Sequence, residues 1–294
     1  MQPYQIAAGL TVTPLHPLIG AEIRGVNLAA PVDGRTLLAI HQAWLRHMLL
    51  VFPDQRITDA EQITFARQFG DLEIHPAREH RSSLHPEIFR VSNVDEKGNI
   101  IPSGGNAWGY INITWLWHSD SSFRQVPSKG SILHGIEVAT EGGRTMFCNL
   151  YAVYEALPAE LKQRIHGRRA IHSHDAVLAN NPRLKQGDQY EDLRAIHPLV
   201  RRHPDTGRQF LFLSPHTMSG IEGMPQAEAR ALLDKLARFA TQEQFVYAHA
   251  WRQDDVIMWD NRCTMHAVMP YDNKTVRRIM HRTTLVGESP VLAA

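Results

Sequence analysis

The stretch Trp117-His118-Ser119-Asp120 is the part of this 294-residue sequence that most constrains its fold and chemistry. In extended backbone successive side chains point to opposite faces, so we expect His118 and Asp120 to project to the same side. An imidazole and a carboxylate on one face are two of the three ligands that hold non-haem Fe(II) and leave three positions open. The pattern alone is weak evidence in a chain with 17 histidines, because a strand histidine more often only forms hydrogen bonds.

A second group of motifs lies far downstream and supplies what the first stretch lacks. Trp259-Asp260-Asn261-Arg262 is followed by Thr264-Met265-His266 and then by a basic segment at residues 277–282. His266 offers a third metal ligand, and the arginines of the basic segment offer cations that bind carboxylates. A zinc ion can use the same three ligands. The arginines favour iron with a carboxylate co-substrate instead.

The composition excludes several other classes of function. The net charge is +1, from 31 Lys and Arg against 30 Asp and Glu, which gives no field that favours nucleic acid or an anionic membrane. No apolar stretch approaches the roughly 20 residues that span a bilayer, and residues 1–13 do not resemble a signal peptide. With Cys148 and Cys263 as the only cysteines, we expect a reducing, cytoplasmic location and no disulfide framework. A homo-oligomer is the default expectation.

Short strand-like runs alternate with a few helices along the whole chain. The apolar run Leu49–Phe52 predicts a buried strand, and Thr58-Asp59-Ala60-Glu61 is typical of a capping box that begins a helix. Apolar spacing predicts further helices over residues 151–167 and Gln226–Ala240. No repeat or linker is visible, so we expect a single domain over residues 1–294. Many short strands with helices outside them favour a mainly β sandwich or jelly roll with flanking helices.

Two polar segments with little periodicity are candidate active-site lids. Residues 95–115 are rich in Gly, Asn, Pro and Ser and lie immediately before His118, and residues 174–193 are similarly irregular. Loops that cover substrates often have this character and this placement. An ordinary surface connection is the alternative for each segment.

Together the motifs resemble those of a known family. The stretches are residues 116–124, Gly142-Gly143-Arg144-Thr145, Trp259-Asp260-Asn261-Arg262, Thr264-Met265-His266 and the basic residues 277–282. They are similar to the Fe(II)- and 2-oxoglutarate-dependent taurine dioxygenase family over nearly the whole chain. The chain most resembles the branch that degrades aryloxyacetates such as 2,4-dichlorophenoxyacetate. The resemblance implies a double-stranded β-helix, a cupin-like jelly roll that brings distant strand ends to one mouth.

The resemblance also implies roles for single residues around the iron. His118, Asp120 and His266 match the family's iron ligands, with O2 as the further co-substrate. Arg278 matches the residue that binds the distal carboxylate of 2-oxoglutarate, for which a planar guanidinium is suited because it forms two parallel hydrogen bonds. Thr145 matches a hydroxyl that helps to hold the same carboxylate.

Three further residues match positions that contact the primary substrate. Arg282 matches the cation that binds the substrate's anionic group, and an ordinary salt bridge is the alternative for it. His216 matches a substrate contact of the aryloxyacetate branch. Thr114 stands where the taurine enzymes carry an asparagine, which argues against taurine as the substrate. Arg277, next to Arg278, is expected to be solvated or paired with an acid.

The implied reaction is hydroxylation of the carbon beside a substrate carboxylate. With an aryloxyalkanoate it cleaves the ether to a phenol and glyoxylate, while 2-oxoglutarate yields succinate and CO2. A taurine-type sulfonate or an alkyl sulfate is the first alternative, since Arg282 suits those anions equally. A flat apolar pocket would favour the aryl compound, and a small polar one the others. A non-catalytic carboxylate- or metal-binding protein is the remote alternative, and the intact set of ligands argues against it.

Overall fold

The protein is built from short strands in four sheets, with helices packed against them. A computed structural model describes residues 1–75, 78–180, 193–288 and 293–294. Within these residues the strands are β1 (Tyr4–Gln5), β2 (Thr11–Pro14), β3 (Ala21–Arg24), β4 (Leu49–Phe52), β5 (Phe89–Arg90), β6 (Gly130–Glu137), β7 (Thr145–Asn149), β8 (Arg169–Ser173), β9 (Arg194–Pro198), β10 (Val200–Arg202), β11 (Gln209–Leu211), β12 (Met218–Ile221), β13 (Val246–His249), β14 (Val256–Asp260), β15 (Thr264–Val268) and β16 (Ile279–Leu285). The helices are α1 (Gly34–His47), α2 (Asp59–Arg67), α3 (Asn106–Ile113), α4 (Leu150–Ala156), α5 (Ala159–Ile165), α6 (His174–Asn180) and α7 (Gln226–Ala240).

The largest sheet has eight strands in the order β1-β2-β3-β4-β14-β6-β16-β5. Along β4, Leu49 and Val51 pack into one hydrophobic core, whereas Leu50 and Phe52 pack into another. Alternate side chains of a strand point to opposite faces. This sheet is therefore buried on both faces, which explains why β4 is a continuous apolar run instead of an alternating one.

Helices α1 and α2 cover one face of the eight-stranded sheet. Trp44 of α1 and Phe65 of α2 pack in one core with Met258 of β14. The predicted capping box at the start of α2 is confirmed, because the Thr58 hydroxyl accepts from Glu61 N at 3.3 Å and the Glu61 carboxylate accepts from Thr58 N at 2.7 Å. These two bonds satisfy backbone donors that a helix start otherwise leaves unpaired.

The three smaller sheets and α7 cover the opposite face. Their strand orders are β13-β7-β15, β12-β8-β9 and β10-β11. Phe147 of β7, Leu232 and Leu236 of α7 and Trp259 of β14 belong to one core. Strand β15 pairs with β7, so this core fixes the strand that carries His266.

The helix predicted over residues 151–167 is wrong in one respect, because the structure divides this segment into α4 and α5. Pro158 lies between them as the residue that caps the start of α5. A proline has no N–H to donate to the preceding turn, so a helix ends before it. Helix α7 has the predicted bounds. Neither it nor any other described helix is both long and apolar enough to cross a membrane.

The two candidate lid segments each contain a helix that the sequence analysis did not predict. Helix α3 lies within residues 95–115, and α6 opens the segment 174–193, of which positions 181–192 lie outside the described residues. Ile113 of α3 and Val177 of α6 pack against each other. That these segments close over a substrate stays a prediction.

Candidate active site

The structure brings His118, Asp120 and His266 together. One potential ligand atom of each lies within 4.8 Å of those of the other two. A single antiparallel bridge joins His118 and His266, which lie far apart in the sequence. His118 N donates to His266 O at 3.0 Å, and His266 N donates to His118 O at 2.8 Å. The two imidazole rings lie with their centroids 4.2 Å apart.

The protonation of these side chains suits a divalent metal ion. The ring nitrogen Nδ1 of His118 donates to Leu116 O at 2.7 Å, which fixes the tautomer and leaves the lone pair on Nε2. Burial lowers the pKa of His118 and lowers that of His266 further. Both imidazoles are therefore neutral at neutral pH, as a metal ligand must be. Two neutral nitrogens and one carboxylate fit Fe(II).

Asp120 is held in place by three groups. Arg282 Nη1 donates to its Oδ1 at 2.7 Å, Ser131 Oγ donates to its Oδ2 at 2.8 Å, and Asn261 Nδ2 lies 3.4 Å from the same Oδ2. Burial raises the pKa of Asp120, but the charge of Arg282, the two histidines and the Ser131 hydrogen bond together outweigh burial and hold this pKa well below its usual value. The sequence analysis did not predict the roles of Ser131 and Asn261. The Trp-Asp-Asn-Arg motif was the available signal for Asn261.

Arg278 lies just before β16 as a buried cation. It is 2% exposed, and its Nε and Nη2 have no hydrogen-bond partner among the described residues. Burial lowers its pKa to about 10, so it remains protonated at neutral pH. The ring of Tyr271 lies 5.9 Å from its guanidinium carbon. Since a buried unpaired charge costs several kcal/mol, the site fits an anion such as a carboxylate of 2-oxoglutarate.

Two glycines shape the backbone beside Arg278. Gly142 and Gly143 have φ of +69° and +61°, which favours glycine. A Cβ on Gly142 would lie 2.4 Å from Pro270 O, and one on Gly143 would lie 3.6 Å from Arg278 Nε. Gly142 thus lets the chain pass close to the backbone at Pro270, and the positive φ of both glycines sets the turn that lies against Arg278.

Thr145 and Arg277 have different surroundings. Thr145 is 1% exposed, and its Oγ1 accepts from Trp251 Nε1 at 2.9 Å. A hydroxyl also has one proton to donate, so Thr145 can still bind a carboxylate. Arg277 pairs with Glu137 at 2.8 Å and its side chain is 39% exposed. This ion pair agrees with the expectation for Arg277.

A pocket opens beside two of the candidate metal ligands, His118 and Asp120, which line it. The positions predicted for substrate contact, Arg282, His216 and Thr114, all line it. The His216 ring lies 5.4 Å from that of His118, whereas the Thr114 hydroxyl donates to Ile111 O at 2.6 Å. The sequence analysis did not predict the rest of the wall, whose apolar members are Phe89, Ile113, Phe123 and Val177 and whose further histidines are His75 and His174. A mixed wall of this kind suits a substrate with an apolar body and an anionic end.

A second group of possible ligands, His203, Asp260 and Cys263, is better explained as a hydrogen-bond network. Arg262 forms two hydrogen bonds with Asp260 through Nε at 2.9 Å and Nη2 at 2.7 Å, and His203 Nε2 donates to the same carboxylate at 3.0 Å. Burial raises the pKa of the Cys263 thiol well above its usual value, so no thiolate is present. The charge of Asp260 is therefore balanced by Arg262, and its oxygens already accept hydrogen bonds, so this group is poorly suited to bind a cation.

Comparison with protein families decides the class of the protein. The model of the taurine catabolism dioxygenase TauD, TfdA family matches residues 11–284. The chain belongs to the TauD/TfdA family. It is an Fe(II)- and 2-oxoglutarate-dependent dioxygenase that uses O2, and His118, Asp120 and His266 form a possible iron site.

Relatives of this TauD/TfdA chain act on different anions. An alpha-ketoglutarate-dependent 2,4-dichlorophenoxyacetate dioxygenase of Cupriavidus pinatubonensis is 36% identical over 94% of this chain and 98% of its own length. An alpha-ketoglutarate-dependent sulfate ester dioxygenase of Pseudomonas putida is 32% identical over 97% of this chain and 92% of its own. The crystal structure of AAD-2 in complex with Mn(II) and N-oxalylglycine has a TM-score of 0.88 and 32% identity, and the match covers 97% of this chain and 99% of that one.

Proposed function

We propose that this dioxygenase hydroxylates the carbon beside the carboxylate of an aryloxyalkanoate such as 2,4-dichlorophenoxyacetate. The product is a hemiacetal, which breaks into a phenol and glyoxylate. One oxygen atom of O2 enters this product and the other enters succinate, formed with CO2 from 2-oxoglutarate. The observation that carries the proposal is the pocket, in which apolar side chains face a buried arginine beside the metal ligands.

The roles that we propose follow from the contacts of each residue. When bound, iron with 2-oxoglutarate and O2 supplies the oxidant that converts a C–H bond to C–OH. Arg278 binds the distal carboxylate of 2-oxoglutarate, with Thr145 as a second donor. Arg282 keeps a buried Nε without a partner among the described residues, so it can bind a substrate carboxylate while Nη1 holds Asp120. His216 and Thr114 complete the substrate wall.

The apolar wall positions the reacting carbon. Phe89 lies 4.9 Å from the guanidinium carbon of Arg282, and Phe123 lines the same pocket. An aryl ring packed against these side chains, with its carboxylate on Arg282, would hold the intervening carbon near the metal ligands. Apolar packing also excludes water from the reaction.

We also propose that the sheets form a double-stranded β-helix. The eight-stranded sheet and the sheet β13-β7-β15 face each other across one core, where Trp259 and Phe147 lie with ring centroids 5.5 Å apart. The backbone bridge between His118 and His266 adjoins the same core, because Met265 belongs to this core and Trp117 packs against it. A double-stranded β-helix would place the ends of strands that are distant in sequence at the same opening, as the proposed active site requires.

A sulfonate or sulfate ester is the second candidate substrate, supported by the sulfate ester relative. The experiment that separates the candidates begins with anaerobic reconstitution with Fe(II) and 2-oxoglutarate. After admission of air, succinate and phenol are measured with phenoxyacetate, both enantiomers of a phenoxypropionate, taurine and an alkyl sulfate. We expect succinate and phenol together from an aryloxy acid. Succinate only with taurine or the sulfate would overturn the proposed substrate, and no succinate with any compound would overturn both candidate substrate classes.

Replacement of Arg282 by Ala should weaken binding of the primary substrate. A charged hydrogen bond contributes about 1.5–3 kcal/mol, so we expect the KM for the aryloxy acid to rise roughly 10- to 150-fold. Formation of succinate without phenol should persist, because Arg278 is unchanged. Arg282→Lys is the matched control, since it retains the charge beside Asp120 and loses only the planar fork. An equal loss of substrate-independent succinate would show that Arg282 serves mainly to hold Asp120.

A further inference from the structure

Three asparagines connect the surroundings of Arg278 to the wall of the substrate pocket. Asn93 is 0% exposed and Asn273 is 3% exposed. Asn112 lies on α3, and the last residue of this helix, Ile113, lines the pocket. We call these three asparagines the amide relay.

Asn93 fixes the backbone of Arg278. Its Oδ1 accepts from Arg278 N at 2.7 Å, and its own N donates to Arg278 O at 3.2 Å. Its Nδ2 donates to Asn273 O at 2.9 Å and to Val276 O at 2.7 Å. The oxygen and the nitrogen of the Asn93 amide thus both form hydrogen bonds, and these bonds fix the backbone of Arg278 relative to the loop before it.

Asn273 extends this arrangement to α3. Its Nδ2 donates to Asn112 Oδ1 at 2.8 Å, and Asn112 Nδ2 donates to Trp108 O in the same helix at 3.1 Å. A second bond attaches the end of the helix, because Val268 N donates to Thr114 O at 2.8 Å. Helix α3 is therefore bonded to the same loop and strand that lead from His266 to Arg278.

We propose that binding of a carboxylate at Arg278 orders α3 through the amide relay and thereby completes the substrate wall at Ile113. The inference rests on the role proposed above for Arg278. Without a ligand, the buried guanidinium lacks partners for Nε and Nη2, and a carboxylate supplies two charge-assisted bonds at that point. The added bonds restrain Arg278, and the amide relay transmits the restraint to α3. Asn273 and Asn112 are positioning residues in this scheme.

The two asparagines at the junction offer an isosteric pair of variants. Asn273→Asp removes the N–H that donates to Asn112. Asn112→Asp keeps the oxygen that accepts this bond and loses only its own bond to Trp108 O within α3. Each variant adds one negative charge, so a difference between them reports the hydrogen bond and not the charge. Asn99→Ala is a further control, because Asn99 is an exposed asparagine whose hydrogen bonds, among the described residues, are all with Asp95 and none with the amide relay.

The measurement is hydrogen–deuterium exchange of peptides that cover residues 106–115, in protein loaded with Mn(II), with and without 2-oxoglutarate. In the wild type we expect 2-oxoglutarate to slow exchange about tenfold, within the usual range of coupling between sites. Asn112→Asp and Asn99→Ala should retain this protection, and Asn273→Asp should lose it. The Kd of 2-oxoglutarate should change by less than about threefold in all variants, while Asn273→Asp raises the KM of the primary substrate about tenfold at similar kcat.

Several outcomes would overturn the proposal. Protection that survives in Asn273→Asp would show that the amide relay does not carry the effect. Equal loss in both Asp variants would assign the effect to the added charge or to the Asn112–Trp108 bond within α3, and not to the bond between Asn273 and Asn112. A large fall in 2-oxoglutarate affinity in Asn273→Asp would make Asn273 a support of Arg278 alone. If Asn273→Asp does not fold, Asn112→Ala breaks the same bond from the other side. A wild type that does not bind 2-oxoglutarate would instead refute the role of Arg278 itself.

Discussion

The His118→Ala variant should release less than about 1% of the succinate that the wild type forms, because loss of a metal ligand should exceed the 10- to 100-fold cost of losing a group that only supports one. We expect His118 to bind metal through Nε2, since its Nδ1 donates to Leu116 O at 2.7 Å. An alanine supplies no replacement ligand, and Asp120 and His266 alone hold a divalent ion weakly. The measurement is metal content per chain after desalting, together with succinate release in air.

A buried histidine outside the site gives the matched control. His203 donates to Asp260 at 3.0 Å, and Asp260 also has two hydrogen bonds from Arg262. We expect His203→Asn to lower the free energy of unfolding by about 1–3 kcal/mol and to leave one metal ion per chain. Retained metal and turnover in His118→Ala would refute the ligand assignment. Loss of metal in His203→Asn would instead point to the second group of ligands.

The sequence predicts those features that depend on neighbours along the chain. The burial of β4 follows from its uninterrupted apolar residues, and the start of α2 follows from the capping box of Thr58 and Glu61. The break at Pro158 was also predictable, because a proline there cannot complete the preceding turn. Apolar spacing alone, without that rule, predicted a single long helix where the structure has α4 and α5.

The candidate site was predictable only in part, for a physical reason. His118, Asp120 and His266 belong to recognisable motifs, and the structure brings them together. Phe89 and Val177 belong to no motif, since they meet in the pocket only through tertiary packing. The placement of helix α3 was equally unpredictable, because it depends on a hydrogen bond between Asn112 and Asn273, which lie 161 positions apart in the sequence. Contacts of that range leave no local periodicity.

The two alternatives for Arg282 do not exclude each other. The sequence analysis left open a substrate contact or an ordinary salt bridge. The structure shows the salt bridge, with Nη1 2.7 Å from Asp120 Oδ1, and also places Arg282 in the pocket wall. A guanidinium has five N–H donors in a fixed fork. One face of the fork can therefore hold the metal ligand while another binds an anion.

The Arg278→Ala variant should require about 100-fold more 2-oxoglutarate for half-maximal turnover, since two charge-assisted hydrogen bonds of about 1.5 kcal/mol each are lost. The wild-type guanidinium is 2% exposed and has no acid paired with it among the described residues. Removing it therefore leaves no buried carboxylate of the protein unpaired, and the fold should retain its stability. The measurement is the Kd of 2-oxoglutarate in Mn(II)-loaded protein, together with succinate release against 2-oxoglutarate concentration.

Arg277, the residue before Arg278, provides the control, because it is also an arginine but is partly exposed and paired with an acid. Arg277 pairs with Glu137 at 2.8 Å on the outside of the protein. Arg277→Ala should change the Kd of 2-oxoglutarate by less than about twofold, since an exposed ion pair contributes about 0–1 kcal/mol to stability and does not contact the site. An unchanged 2-oxoglutarate requirement in Arg278→Ala would refute the assignment of Arg278. Equal effects in both variants would mean that the positive charge of this segment, and not the buried fork, attracts the co-substrate.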